Sequence, residues 1–322
     1  MSSKDRVGII GCGAVTQKNY LPGLTYFPEM TLARVHDLNR ETAARVADSS
    51  GAAISSLDQI LDDCGTIVIA TPPGSHAELV EKCLSDGRTV ICEKPFVGTR
   101  ADAERLANLA AERNSNLFVG HVRRCYPSVR LGRALIQSGI FGQIKALSAF
   151  EGGRFTWQAE SGYVYTDPLG GVLFDTGSHT LDTLLYVAGL DTGDLGISVV
   201  ESKRDRSEPS NDIEARVLLS RDGAHIPMHL KLSRVRATAN KLRIDCESGF
   251  IEIPVGLTNY VRIGGIEGSA IVVHARESYN DVLECFAIQL KRMFWPDQER
   301  TFSAEKFINL SALLELVSKD RT

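Results

Sequence analysis

Two rhythms of apolar and polar positions divide the chain. Over residues 1–122, short continuous apolar runs at 6–10, 31–36, 66–70, 89–92 and 117–121 alternate with stretches in which apolar residues recur at helical spacing, at 56–62, 77–85 and 101–113. A continuous apolar run bounded by turns predicts a strand buried on both faces, and strands linked through helices predict a doubly wound parallel sheet. From 144 to 273 the pattern changes to strands in series, at 144–150, 196–201, 213–219, 226–232, 241–245 and 250–254. Turn signals at Arg221-Asp222-Gly223 and Glu247-Ser248-Gly249 favour antiparallel pairing in one large open sheet. Helices are expected around 128–137, after Leu173, at 279–294 and at 304–318. The expected fold is α/β: a doubly wound domain over 1–122 and an α+β domain with a mostly antiparallel open sheet over 123–322.

Composition narrows the class without changing the fold. The 322 residues are 43% hydrophobic and 24% charged, with net charge -4, so clustered Lys and Arg for nucleic acid or an anionic membrane are not indicated. No apolar run approaches the roughly 20 residues of a membrane helix, and the first residues lack the apolar stretch of a secretory signal, so a cytoplasmic location is expected. Seven cysteines, odd in number and without a CxxC pair, indicate reduced buried thiols rather than disulfides or a zinc site.

The first chemical signal follows the first strand. Gly11-Cys12-Gly13-Ala14-Val15-Thr16 places glycines where a tight turn must let a pyrophosphate approach backbone N–H groups at a helix start. Thr16 stands where this fingerprint usually has Gly or Ala, so helix-on-strand packing must tolerate a branched side chain. Asp37, 24 residues beyond Gly13, closes the second strand at the place where a carboxylate receives adenosine ribose hydroxyls. Strand, glycine turn, helix, strand and acid together predict a Rossmann domain for NAD. NADP is the alternative, because Arg40 could engage a 2'-phosphate.

Two further strand ends point into the same crevice. Thr71-Pro72-Pro73-Gly74-Ser75-His76 forces an extended path, with Thr71 and Pro72 on the nicotinamide side. His76, in the first turn of an amphipathic helix, is expected to pack or cap rather than catalyse. Glu93-Lys94-Pro95 closes the strand at 89–92. Taken alone it is a strand-to-loop turn; after a complete fingerprint, it sets a lysine where parallel sheets bind ligands. In the second half, Gly170-Gly171 leads to a helix on which positions 175, 179, 182 and 186 share one face, opposite Leu181, Leu184 and Leu185. Asp175 alone reads as a cap and His179 alone as an interior histidine; with Lys94 they read as a site.

Along the whole chain these motifs resemble the Gfo/Idh/MocA family, the glucose-fructose oxidoreductase and inositol dehydrogenase group. The resemblance rests on 11–16, Ala70-Thr71-Pro72-Pro73, Glu93-Lys94-Pro95 and the run from Gly170 to Asp182. It implies an NAD(P)-dependent dehydrogenase or reductase acting on a secondary hydroxyl or ketone of a sugar, polyol or sugar derivative. It also implies an open sheet that assembles homodimers or homotetramers. Family members hold substrate between nicotinamide and the open sheet, with lysine, aspartate and histidine at the equivalents of Lys94, Asp175 and His179.

The chemistry asks for those residue types. A group titrating near neutrality must handle the hydroxyl proton, which nominates His179. Lys94 can hold the reacting oxygen and reach the cofactor ribose, and Asp175 can bind a neighbouring hydroxyl. Cofactor contacts are expected from Gly11, Gly13, Ala14, Val15, Asp37, Arg40, Thr71, Pro72, Glu93 and Lys94. Glu93 should position the lysine, and Asp182 should support the polar helix face. Arg124, Tyr126, Trp157 and Tyr163, with Asp175 and His179, are candidates for holding a sugar, near Arg123, Arg154 and Tyr165. Lys231, Arg234, Arg236, Lys241 and Arg243 form a basic stretch expected to be a solvated sheet face or subunit contact, with a phosphate site as the alternative. The competing functions are an NAD-dependent glycoside hydrolase using transient oxidation and a non-catalytic NAD sensor; the intact trio disfavours the sensor.

Overall fold

The computed structural model describes residues 5–154, 156, 162–205, 207, 209–265 and 268–319. The chain divides into two compact units: Met1–His121, Gln158–Tyr163 and Phe286–Glu305 form one, and Val122–Trp157, Val164–Cys285 and Lys306–Thr322 the other.

The first unit is built on β1 (Arg6–Ile10), β2 (Thr31–His36), β3 (Ala53–Ile54), β4 (Thr66–Ile69), β5 (Thr89–Glu93) and β6 (Leu117–Gly120), all parallel in the order β3-β2-β1-β4-β5-β6. The order reverses at β1, which makes its carboxyl end the switch point where such sheets take ligands. Around the sheet lie α1 (Leu21–Leu24), α2 (Arg40–Ser50), α3 (Leu57–Asp63), α4 (His76–Ser85) and α5 (Arg100–Glu112). Every residue of β4 and β6 is buried, which is why these strands read as unbroken apolar runs. Ser56 caps α3 in a reciprocal capping box with Gln59, and Thr99 caps α5.

Near its end the chain returns to this unit, although the sequence pattern assigns everything after Val122 to the second domain. Phe302 O accepts from Val119 N at 2.8 Å, and Ser303 makes an isolated antiparallel bridge to Phe118, so the returning segment is tied to β6. Phe286 meets the Tyr20 ring edge-on at 4.9 Å. These contacts join positions far apart in sequence, and no local periodicity encodes them.

The second unit carries β7 (Ile144–Gly152), β8 (Gly196–Arg204), β9 (Asp212–Arg221), β10 (Ala224–Ser233), β11 (Lys241–Cys246), β12 (Gly249–Pro254), β13 (Tyr260–Gly264) and β14 (Ile271–His274), in the order β14-β13-β12-β11-β7-β10-β9-β8. All neighbours are antiparallel except β7 and β10. The long excursion between those two strands lets them lie side by side in the same direction. The turn between β9 and β10 has Asp222 and Gly223 both at positive φ, 50° and 79°, as a two-residue hairpin needs. Its helices are α6 (Pro127–Gln137), α7 (Tyr163–Thr166), α8 (Ser178–Ala188), α9 (Val282–Phe294), which runs on into the first unit, and α10 (Ile308–Lys319). α6, α8 and α10 pack on the sheet, and alternate residues such as Ile213, Ala215, Val217 and Leu219 of β9 are buried. All seven cysteines are free and buried. Among the described residues no helix is long and apolar enough to cross a membrane.

Candidate active site

In the first unit the fingerprint turn and the acid after β2 are joined directly. Asp37 accepts from Cys12 N at 2.7 Å through one carboxylate oxygen and from Asn39 N at 2.7 Å through the other. Asn39, not Asp37, caps α2, accepting from Glu41 N and Thr42 N. The half-buried carboxylate therefore stands over the turn rather than at the helix start. Burial, and then the Asp37 charge, push the Cys12 thiol up to about 12, so it stays protonated. Arg40 is exposed at the first position of α2.

The two glycines of the turn do different work. Gly11 has φ +97°, and a Cβ there would meet Ala70 O at 2.5 Å, so the end of β1 passes too close to the end of β4 for any other residue. A Cβ on Gly13 would meet nothing within 4 Å, leaving open the space a pyrophosphate needs. The residues present thus fit a dinucleotide. Gly11→Ala is expected to destabilise the fold by about 1–3 kcal/mol through its backbone alone. Gly13→Val should unfold like the parent yet bind cofactor at least about tenfold more weakly, about 1.4 kcal/mol. Thermal unfolding beside titration of reduced nicotinamide fluorescence separates the two.

Thr16 fits without strain. It is fully buried, and its hydroxyl donates to Gly11 O at 2.6 Å, while the helix opens with a π turn over Thr16–Tyr20. That turn also delivers Tyr20 to the interior, where its hydroxyl donates to Glu93 Oε1 at 2.9 Å. Glu93 Oε2 accepts from Lys94 N at 3.1 Å. Burial raises the Glu93 pKa, opposed by the Tyr20 hydrogen bond and the Lys94 charge. Lys94 follows at the carboxyl end of β5, half-buried, before a cis Lys94-Pro95 peptide.

In the second unit the second glycine of the pair is required by packing. Gly171 has φ +74°, and a Cβ there would lie 2.8 Å from Pro209 and 2.9 Å from Ser210 O. A second π turn, Leu173–Gly177, then leads into α8. Of the eleven residues of α8, His179 alone is not buried. Its neighbour Thr180 donates to Glu151 of β7, and Arg123 grips Glu151 with two hydrogen bonds of 2.7 and 2.8 Å. Burial works against the Arg123 charge, but Glu151 holds its pKa above the usual value. Asp175 pairs with Arg234 at 2.5 Å.

Several sequence expectations need correction here. Arg124, expected to hold substrate, is 0% exposed; its guanidinium donates to Asp182 at 2.6, 3.0 and 3.1 Å and to Asp191 at 3.3 Å. The Tyr186 and Phe307 rings lie 4.7 and 4.1 Å from it. Asp182 therefore belongs to a buried ion network and not to an open polar face; positions 182 and 186 share the face of 175 and 179 but meet Arg124. Arg234, read with a solvated stretch, is 5% exposed. The other members of that stretch also face carboxylates: Lys231 pairs with Glu214, Arg236 with Asp212, Lys241 with Glu252, and Arg243 with Asp245 and Glu252. A phosphate would find these charges already compensated. Tyr126 is buried, and burial pushes its phenol up to about 12. Trp157 and the Tyr163 side chain lie outside the described residues. Tyr20 as a partner of Glu93, and Glu151, Thr180 and Arg234 as the partners within the second unit, were not legible, because each acts through a long-range contact.

A parallel sheet with a glycine turn after β1 and a carboxylate after β2 has the architecture of the Rossmann class. Residues 6–121 match the Gfo/Idh/MocA oxidoreductase family, NAD-binding Rossmann fold, and residues 129–252 match the Gfo/Idh/MocA C-terminal domain. The chain belongs to the Gfo/Idh/MocA family. Over 187 residues it is 32% identical to dTDP-3,4-didehydro-2,6-dideoxy-alpha-D-glucose 3-reductase of Streptomyces violaceoruber, covering 55% of this chain and 52% of that protein. Over 204 residues it is 30% identical to UDP-N-acetylglucosamine 3-dehydrogenase of Acidithiobacillus ferrooxidans, covering 62% of this chain and 60% of that one. The chain thus matches between half and two thirds of the length of these relatives. A crystal structure of a 3-ketoreductase from Actinomadura kijaniata in complex with TDP-benzene and NADP superposes with TM-score 0.74 at 21% identity, covering 98% of this chain and 96% of that one. At that identity the likeness carries the fold.

Proposed function

We propose that the protein is an NAD(P)-dependent oxidoreductase that interconverts a secondary hydroxyl and a ketone on a sugar, polyol or sugar derivative, with nucleotide sugars the first substrates to test. The observation that carries this reading is Lys94, held at the carboxyl edge of the same parallel sheet that bears the fingerprint turn, where such sheets take ligands. The names of the relatives support the substrate class.

In this reading the backbone at Gly11, Gly13, Ala14 and Val15 holds the cofactor pyrophosphate and Asp37 the adenosine ribose. Thr71 and Pro72 line the nicotinamide side. A fixed carboxylate repels a 2'-phosphate, which favours NAD, and Arg40 is the group through which NADP would be accepted. When bound, the nicotinamide supplies the redox chemistry. Lys94 donates a hydrogen bond to the reacting oxygen and favours negative charge there. Glu93, fixed by Tyr20, sets the backbone of Lys94. His179, the one residue of α8 that is not buried, takes or returns the hydroxyl proton. Asp175, oriented by Arg234, accepts from a neighbouring substrate hydroxyl. The 1–122 and 123–322 portions serve cofactor and substrate respectively, and the protein works in the cytoplasm as a homodimer or homotetramer assembled through its second sheet.

The test is incubation with NAD or NADP and a panel of UDP- and dTDP-hexoses, free sugars and polyols, following reduced nicotinamide. Accumulation with at least one sugar compound is expected. Release of free sugar with no net reduced cofactor would replace this reading with the hydrolase, and cofactor binding without either reaction would replace it with a sensor.

A further inference from the structure

We propose that His76 is a positioning residue that holds Lys94 in place by anchoring the loop that follows it. This rests on the reading of Lys94 given above. His76 opens α4 and is 0% exposed, and both of its ring nitrogens lie within hydrogen-bond distance of carbonyls outside that helix. Nδ1 lies 2.9 Å from Pro95 O and 3.2 Å from Phe96 O; Nε2 lies 3.0 Å from Thr71 O. One imidazole thus spans the turn after β4 and the two residues immediately beyond Lys94.

The need for such an anchor follows from the local sequence. Pro95 has no N–H, so its carbonyl is the one backbone group through which that residue can be tied down, and the residue is buried, where an unmet acceptor is costly. On the other side Lys94 N donates to Glu93 Oε2. The backbone of Lys94 is therefore held before and after by two side chains that are themselves fixed, Glu93 by Tyr20 and His76 by its place in α4. The turn that carries His76 is stiffened in turn: Thr71 Oγ1 and Ser75 Oγ lie 2.7 Å apart, and Ser75 Oγ donates to Pro72 O at 2.9 Å. A half-buried lysine side chain swings about its Cα, so a loop released at Pro95 displaces the ammonium from its reacting position. A 1 Å misplacement of a catalytic group can cost about 10²-fold in rate.

The two nitrogens make a selective test. A neutral imidazole has one N–H and can donate to only one side at a time. In His76→Asn the amide sits near the Nδ1 position and can still donate toward Pro95 and Phe96; in His76→Gln it reaches toward Thr71 instead. His76→Phe keeps the ring and donates to neither. The full chain, with lysines reductively ¹³C-methylated, is compared by NMR, the Lys94 signal being identified by its loss in Lys94→Arg; turnover is read in parallel with the UDP- and dTDP-hexose panel. We expect the Lys94 signal of His76→Asn to overlay the parent with kcat within about threefold, and the signal of His76→Gln to move with kcat lowered up to about a hundredfold and KM little changed. His76→Phe should resemble His76→Gln; if it fails to fold, the amide pair decides. An unmoved Lys94 signal in His76→Gln, or a restored signal in His76→Gln but not His76→Asn, would overturn the anchor. A displaced signal with undiminished turnover would leave the anchor standing and remove Lys94 from the chemistry.

Discussion

Arg124→Ala is expected to destabilise the protein by about 3–5 kcal/mol, measured as the shift in its urea unfolding curve. Arg124 sits in the second unit with none of its side chain in solvent, against Asp182 and Asp191 at 1% and 2% exposure. Burial disfavours its charge, but Asp182 and then Asp191 hold its pKa above the usual arginine value. Removing the guanidinium leaves two carboxylates in a low-dielectric interior with their principal cation gone, and Arg133, 3.5 Å from Asp191, compensates only one of them. It also empties the space between the Tyr186 and Phe307 rings. Because Asp182 and Tyr186 lie on α8, the damage is delivered to the helix that presents His179. Arg124→Met combined with Asp182→Leu should lose less than the sum of the single changes, since no unpaired charge remains at that pair. A stability change under about 1 kcal/mol for Arg124→Ala, with weakened sugar binding instead, would return Arg124 to the substrate pocket.

Lys94→Ala should lower kcat by about 10²–10³, the usual loss when a preorganised donor to a developing oxyanion is removed. Its Kd for NAD should stay within about threefold, because the proposed pyrophosphate and ribose contacts come from the fingerprint turn and Asp37. His179→Ala should cost about 10²–10⁴ through loss of the proton acceptor. The double variant should lose far less than the product, since the proposed mechanism uses both groups in a single step. Lys94→Arg should rescue poorly, as a planar fork cannot replace a point charge on a shorter reach. The measurements are steady-state turnover on the sugar found by the panel and nicotinamide fluorescence titration for affinity. Full turnover in either single variant with cofactor binding unchanged would withdraw that residue from the mechanism.

Much of the fold was legible because it is locally encoded. β2 (Thr31–His36) begins and ends where the apolar run does, and the antiparallel hairpins at Asp222-Gly223 and around Ser248 follow their turn residues. The strands β3, β13 and β14 are short, at two, five and four residues, and were not read as separate strands. The Gly11 turn was equally legible, since a positive φ beside another backbone leaves one residue type, and Asp37 followed from its distance along the chain. The polar stripe of α8 misled for an instructive reason: helical spacing shows that Asp175, His179, Asp182 and Tyr186 share a face, but not whether that face meets solvent or a buried arginine. In the basic stretch from Lys231 to Arg243 only Arg234 departs from a solvated face, because its partner Asp175 lies far away in the sequence.

By itself the sequence determined the order of elements, the two sheet types, the fingerprint turn and the identity of its glycines, for these depend on side-chain period and on steric limits within a few residues. Only the tertiary structure decided that 286–305 rejoins the first unit, that Tyr20 and His76 brace the strand end and loop flanking Lys94, and that Arg124 is a structural cation. Those outcomes hinge on which distant residues fill the last hydrogen-bonding or charge position in a closed interior, and periodicity along a chain carries no record of that choice.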